Sequence, residues 1–241
     1  INLLKARYKK IFIFDELKKI NNLELLRSKD IVIRAQLIAN KKNDKSKCIL
    51  LNGLNYFIIN KKRSKLKKNH RKKIDIMVML GGGTGYLKHY MKIAKIINKL
   101  NLNLNKVLFV MGHQSNSKEI NKISSLSPIF KVVQFVNDPI NLMLQSKIGI
   151  MSGGYSKYEA AYSKLPSLIV PVKNHQFLIS KEFCEAGGGI FISKINELFI
   201  SSKCLELLKN NNFRNKLSKS TGKLVDGLAM ERIYKYIFKK L

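Results

Sequence analysis

The sequence predicts an α/β protein: a Rossmann-like parallel sheet with helices on both faces, joined to part of a second α/β domain. Three observations predict it. From residue 74 onward, short apolar runs alternate with stretches of helical spacing, the pattern of βαβ units. The strand runs are apolar throughout, as strands buried on both faces are. Glycine-rich turns follow directly on two of these runs, at the strand ends where parallel sheets bind their ligands.

Taken in order, residues 11–14 read as a short buried strand ending at Asp15, and 31–33, 48–51 and 56–59 as further strand-like runs broken by polar turns. A basic stretch with few apolar residues, 61–73, then reads as a linker. The regular part follows. Strand 76–80 runs into Gly81-Gly82-Gly83-Thr84-Gly85 and a helix over 86–100; strand 107–111 ends at Gly112-His113; a helix over 117–124 leads to strand 130–136. A helix over 139–145, strand 148–151, helix 155–164, strand 167–170, helix 177–186 and strand 190–193 come next, and three helical segments close the chain. The predicted organisation is 1–60 as a partial N-terminal α/β domain, 61–73 as the linker, and 74–241 as a ligand-binding Rossmann-like domain.

Bulk properties narrow the classes. With 241 residues and 45 % hydrophobic composition the chain has enough apolar matter for a proper core. No apolar run reaches the roughly 18 residues that a membrane-spanning helix needs. Residues 1–10 carry scattered charges in place of a signal-peptide core, and the three cysteines, Cys48, Cys184 and Cys204, are widely separated. Reduced thiols, no metal site, no cofactor and a cytoplasmic location are the expectation. Ile1 in the place of Met suggests a longer chain.

Lys and Arg total 46 against 15 Asp and Glu, a net charge of +31. The lysines run the whole length alongside many asparagines, as in proteins from AT-rich genomes. Only 61–73 is dense, and it offers an anionic membrane surface a contact at the inner face. Nucleic acid is the weaker partner, because no aromatic stacking motif or recognition helix accompanies the charge.

Gly81–Tyr86 follows a strand and opens a helix, so its free N–H groups suit a phosphate. It is neither G-x-G-x-x-G nor a Walker loop, and a tight strand-to-helix turn is the plainer alternative. Ser152-Gly153-Gly154-Tyr155-Ser156-Lys157-Tyr158-Glu159 repeats the arrangement. Gly153, Gly154 and the Ser156 hydroxyl suit phosphate; Glu159 suits a ribose diol, or is simple helix N-terminal charge. Asn174 and Gln176, after the strand ending at Pro171, can donate to and accept from sugar hydroxyls. His175 and His113 also stand at strand ends, where a structural role is the plainer reading, and Asp15 is either a site residue or a turn former. Neither a catalytic triad nor a clear carboxylate pair emerges.

Ser152–Ala161, Leu165-Pro166-Ser167-Leu168-Ile169-Val170-Pro171 and Gln176 resemble the signature of glycosyltransferase family 28, the GT-B group of the MurG-type N-acetylglucosaminyltransferases. Phe14-Asp15-Glu16-Leu17, 50–59, Leu80-Gly81-Gly82-Gly83 and Val225-Asp226-Gly227-Leu228-Ala229 are similar to its branch of pseudaminic-acid pathway nucleotide-sugar hydrolases. The resemblance implies a GT-B-like fold, UDP-sugar as partner, and transfer of the glycosyl group to an acceptor or to water in cell-surface glycan biosynthesis. It implies Glu159 at the ribose, Gly153, Gly154, Tyr155 and Ser156 at the diphosphate, Gly82, Gly83 and Thr84 in the opposing turn, and Asn174 and Gln176 at the sugar. No metal is implied. Family members carry their catalytic base on an early Gly-x-Gly-His loop, which this sequence lacks. The expectation is a chain that begins partway into the N-terminal domain, with the base supplied by a missing segment or a partner chain.

Overall fold

The computed structural model describes residues 1–15, 22–36, 47–60, 72–82, 85–100 and 102–238. The chain divides into two compact units: residues 1–59 with 226–241, and residues 60–225.

In the first unit, strands β1 (Phe12–Phe14), β2 (Ile31–Arg34) and β3 (Ile49–Asn52) form a parallel sheet in that order. Its side chains alternate between two small cores. Val32, with Leu23, Leu26 and Cys48, fills one; Ile31, Ile33 and Leu51 meet Ile233 in the other. That explains why 31–33 reads as an unbroken apolar run. Asp30 ties the turn before β2, accepting the Ile11 and Arg27 N–H groups and pairing with the Arg27 guanidinium at 3.0 Å. At the other end of the sheet Arg34 meets Asp15 at 3.0 Å, both buried.

Two expectations are corrected here. Residues 56–59 do not make a strand: the chain bends at Gly53 (φ 101°), forms a 3-10 turn over Leu54–Tyr56, and continues extended with Phe57 and Ile59 buried. The last helix, Ala229–Phe238, does not join the Rossmann-like unit. It docks on the first sheet because Ile233 and Ile237 face Ile31, Ile33 and Leu51, and Arg232, paired with Asp226, donates to Asn55 O at 3.0 Å.

The second unit is a six-stranded parallel sheet: β4 (Ile74–Met79), β5 (Val107–Met111), β6 (Phe130–Gln134), β7 (Ser146–Ser152), β8 (Ser167–Val170) and β9 (Ile190–Phe191). Their spatial order is β6-β5-β4-β7-β8-β9. Its start absorbs the end of the expected linker, since Lys72 Nζ and Lys73 N donate to Leu144 O and Gln145 O at 2.9 Å; residues 61–71 lie outside the described residues. Asp75 clamps three strands at the N-terminal edge, pairing with Lys147 at 2.7 Å and accepting the Asn105 and Lys106 N–H groups.

Helices α2 (Leu87–Asn98), α3 (Ser117–Ser124) and α7 (Glu197–Lys209) share one core with Ile76, Val78, Val107, Phe109, Ile148 and Ile150. Helices α4 (Pro139–Leu144), α5 (Ser156–Tyr162) and α6 (Gln176–Glu185) pack on β7 and β8, with α8 (Asn211–Thr221) against α5. Local signals set the starts. Asn116 and Glu119 form a capping box on α3, Asp138 caps α4 ahead of Pro139, and Asn196 and Asn210 cap α7 and α8.

Candidate functional site

The strand order fixes where a site can form. Connections from β4 run outward through β5 to β6, and those from β7 run the opposite way through β8 to β9. Loops leaving the neighbouring strands β4 and β7 therefore diverge and open a crevice at their C-terminal ends, the switch point where doubly wound sheets bind ligands. Both glycine turns named from the sequence leave these two strands.

At the end of β4, Tyr90 is the anchor. Its buried hydroxyl accepts the Leu80 N–H at 2.9 Å and donates to Val110 O at 2.6 Å. Gly81 takes φ 125° beneath the Tyr86 ring, 3.4 Å from where a Cβ would stand. Gly82 is exposed, and Gly112 at the end of β5 passes so close that a Cβ there would lie 2.3 Å from Gly82 O. Gly83 and Thr84 lie outside the described residues.

At the end of β7 the turn is tightly built. A Cβ on Gly153 would stand 2.2 Å from Ser180 Oγ and 2.8 Å from Gln176 Cβ, so the start of α6 packs directly on its backbone. Gly154 is roomier, with Gln176 Nε2 and Ser152 Oγ each 3.5 Å from its added Cβ. The Ser156 hydroxyl is buried against Ser152 Oγ at 3.0 Å, so it turns inward, away from the ligand face expected of it. Tyr155 is half exposed.

Glu159 is partly buried one turn along α5. Burial, and then the charge of Asp138, raise its carboxyl above the usual carboxylate range. Among the described residues it has no ion pair, which leaves it as an acceptor. Gln176 is buried, its Oε1 taking the Val172 N–H at 2.9 Å, so its amide is held against the Gly153–Gly154 turn. Asn174 and His175 are exposed in the same loop, and Lys173 Nζ lies 5.3 Å from the centre of the Tyr86 ring, joining the loop after β8 to the one after β4. His113 is exposed beside Phe135, with their ring centres 6.1 Å apart.

Two residues escaped the sequence reading. Lys157 is fully buried under the second turn, donating to Gly153 O at 2.5 Å and Gly154 O at 3.3 Å. No sequence signal singled it out, because Ser156, Lys157 and Glu159 give that helix a polar share. His89, in the first turn of α2, has a buried Nδ1 without a partner, and burial followed by Lys92, Lys88 and Lys173 lowers its pKa. Among the described residues no group of three His, Cys, Asp or Glu could hold a metal ion, and no helix is long and apolar enough to cross a membrane.

Known proteins resemble this arrangement. Spore coat polysaccharide biosynthesis protein SpsG of Bacillus subtilis is 27 % identical over 173 residues, 70 % of this chain and 50 % of that protein. The Helicobacter pylori pseudaminic acid cytidylyltransferase and UDP-2,4-diacetamido-2,4,6-trideoxy-β-L-altropyranose hydrolase is 29 % identical over 113 residues, 47 % of this chain and 20 % of that protein. The chain thus spans half or less of the length of these relatives. Among solved structures, the S. aureus MnaA–UDP co-structure matches 99 % of this chain and 76 % of its own with a TM-score of 0.65 at 15 % identity, a likeness of fold. Residues 76–232, from β4 into the last helix, match the glycosyltransferase family 28 C-terminal domain. The chain belongs to that family, and its fold is that of the GT-B glycosyltransferases.

Proposed function

We propose that the second unit holds a UDP-sugar in the crevice beyond β4, β7 and β8, as the donor half of a reaction that passes the glycosyl group to an acceptor or to water. The observation that carries this reading is the Ser152–Glu159 turn, which lies within the matched family 28 region and stands at the topological switch point. In it, the backbone of Gly153, Gly154, Tyr155 and Ser156 meets the diphosphate, and Glu159 accepts from the ribose diol. Gly82 stands in the opposing wall, and Asn174 and Gln176 reach the sugar. The diphosphate is held by backbone N–H groups, with no metal.

Three features support the assignments. Glu159 has no cation to satisfy it among the described residues, so a hydroxyl pair would find both oxygens available. Gln176 is locked by Val172 with its amide beside Gly154. Lys173 and the partly buried His89 add positive charge and a polar edge on the β4 side. The name of the H. pylori relative supports water as the acceptor, that of SpsG supports a role in surface polysaccharide synthesis, and the MnaA co-structure supports UDP as the nucleotide.

The test is thermal denaturation with UDP. Ligand present at about 100 times its Kd stabilises by about 2.7 kcal/mol, so a rise in Tm that saturates with UDP is expected. No shift at millimolar UDP would refute the site. Release of UDP from UDP-sugars, with and without added acceptor, then separates transfer from hydrolysis.

A further inference from the structure

Beneath the Gly153–Gly154 turn lies a lysine with no ion pair among the described residues. Lys157 is 0 % exposed, and its Nζ is met by the Gly153 and Gly154 carbonyls. The Tyr158 ring centre lies 4.1 Å from it and that of Phe183 5.9 Å. No carboxylate among the described residues pairs with it. A buried ammonium answered only by carbonyl dipoles and ring faces is short of negative charge.

The carbonyls it grips define the turn. In a trans peptide the N–H points opposite to the C=O. Drawing the Gly153 and Gly154 oxygens inward therefore turns the Gly154 and Tyr155 N–H groups away from the lysine. The Gly154 N–H makes a long contact, 3.4 Å to Ser152 Oγ, and an anionic oxygen would bind it better.

We propose that Lys157 is a positioning residue of the nucleotide site, aiming the Gly153–Gly154 backbone at the diphosphate and answering its charge from beneath without touching it. This rests on the reading of the turn as the diphosphate site. It also explains why a lysine stands where an apolar residue would pack with less cost.

The role has a pH signature. Burial lowers the Lys157 pKa to about 7. The other titratable groups are Glu159 on its own helix, Asp138 before α4, Lys181, Glu182 and Glu185 on α6, Arg214, Lys216 and Lys219 on α8, and Lys147 on β7, which pairs with Asp75; burial, not any of these charges, sets the shift. Cys184 is itself pushed up to about 12 by burial, so it stays neutral. A bound diphosphate favours the charged lysine and raises its pKa. Affinity is then highest below the free-state pKa and falls as pH rises towards the bound-state value.

Isothermal titration calorimetry of the full chain with UDP tests this from about pH 7, where the terminal phosphate (pKa about 6) is already largely ionised. Affinity is expected to weaken about fivefold between pH 7 and pH 9, the part of the tenfold loss from a pKa shift of about one unit that lies above pH 7. Binding near pH 8 should take up a proton, read from buffers of differing ionisation enthalpy. Lys157→Met should flatten the profile, abolish the uptake and weaken binding at pH 7. Should that variant not fold, proton uptake by the native chain decides alone. UDP binding with a flat profile and no uptake overturns the role of Lys157 while leaving the site standing; no UDP binding at any pH overturns both.

Discussion

Gly153→Ala is the sharpest probe of how the second turn is held. The new methyl would stand 2.2 Å from Ser180 Oγ, 2.8 Å from Gln176 Cβ and 3.2 Å from Gln176 O. Ser180 cannot simply rotate away, because its buried hydroxyl donates to Gln176 O at 2.6 Å. Overpacking of this kind costs about 1–3 kcal/mol, and a stranded buried hydroxyl adds about 1–3 kcal/mol when no new partner is found. A loss of about 2–4 kcal/mol is expected. At about 2–4 °C per kcal/mol for a chain of this size, that lowers Tm by roughly 4–16 °C. Gly154→Ala supplies the control. Its methyl meets only contacts at 3.5 Å, and neither glycine has a positive φ. It should leave stability unchanged or raise it by about 0.4–1 kcal/mol through the unfolded chain, while placing a methyl on the face offered to the diphosphate and weakening UDP. Urea denaturation of both variants, alone and with Ser180→Ala, makes the comparison; the Ser180 change should recover part of the Gly153→Ala loss. Equal stability of the two alanine variants would refute the packing argument.

Glu159→Gln should weaken UDP binding by about 1–3 kcal/mol and yet stabilise the free fold at neutral pH. Burial and Asp138 raise the folded-state pKa of Glu159, so the unfolded chain ionises first and stability falls as pH rises from the unfolded to the folded value; denaturation across that range, with and without UDP, checks both halves. An unchanged UDP dissociation constant would remove Glu159 from the ribose. Tyr90→Phe should lose about 1–3 kcal/mol in urea denaturation, because it strands the buried Leu80 N–H and Val110 C=O that the hydroxyl bridges; a smaller loss would mean that those groups find other partners.

Elements with chemical punctuation at one end or both were legible from the sequence. Strand 107–111, helix 117–124 and strand 167–170 stand within their expected bounds because Gly112, the Asn116–Glu119 capping box and Pro166 and Pro171 flank them. Strand 130–136 was read two residues long because Phe135 takes φ 51°, a conformation no side-chain pattern announces. The segment 56–59 shows the limit of apolar runs as a signal: Phe57 and Ile59 are buried in extended chain that follows a 3-10 turn and is not a strand. At the site, the glycine turns and Glu159 carry their chemistry in their residue types. Lys157 does not, because a lysine reads as solvated until its burial is known. The inward Ser156 hydroxyl and the contact of Gly153 with Ser180 are likewise tertiary facts.

The docking of the last helix on the first sheet makes the first unit discontinuous in sequence. Its two stretches, 1–59 and 226–241, are separated by the whole of the second unit. During synthesis, strands β1 to β3 leave the ribosome long before Ile233, the residue that covers Ile31, Ile33 and Leu51. The Rossmann-like unit can close while its elder neighbour still shows one bare apolar face. Strands made early are thus covered late, and a nascent chain halted before residue 226 carries an exposed, aggregation-prone sheet.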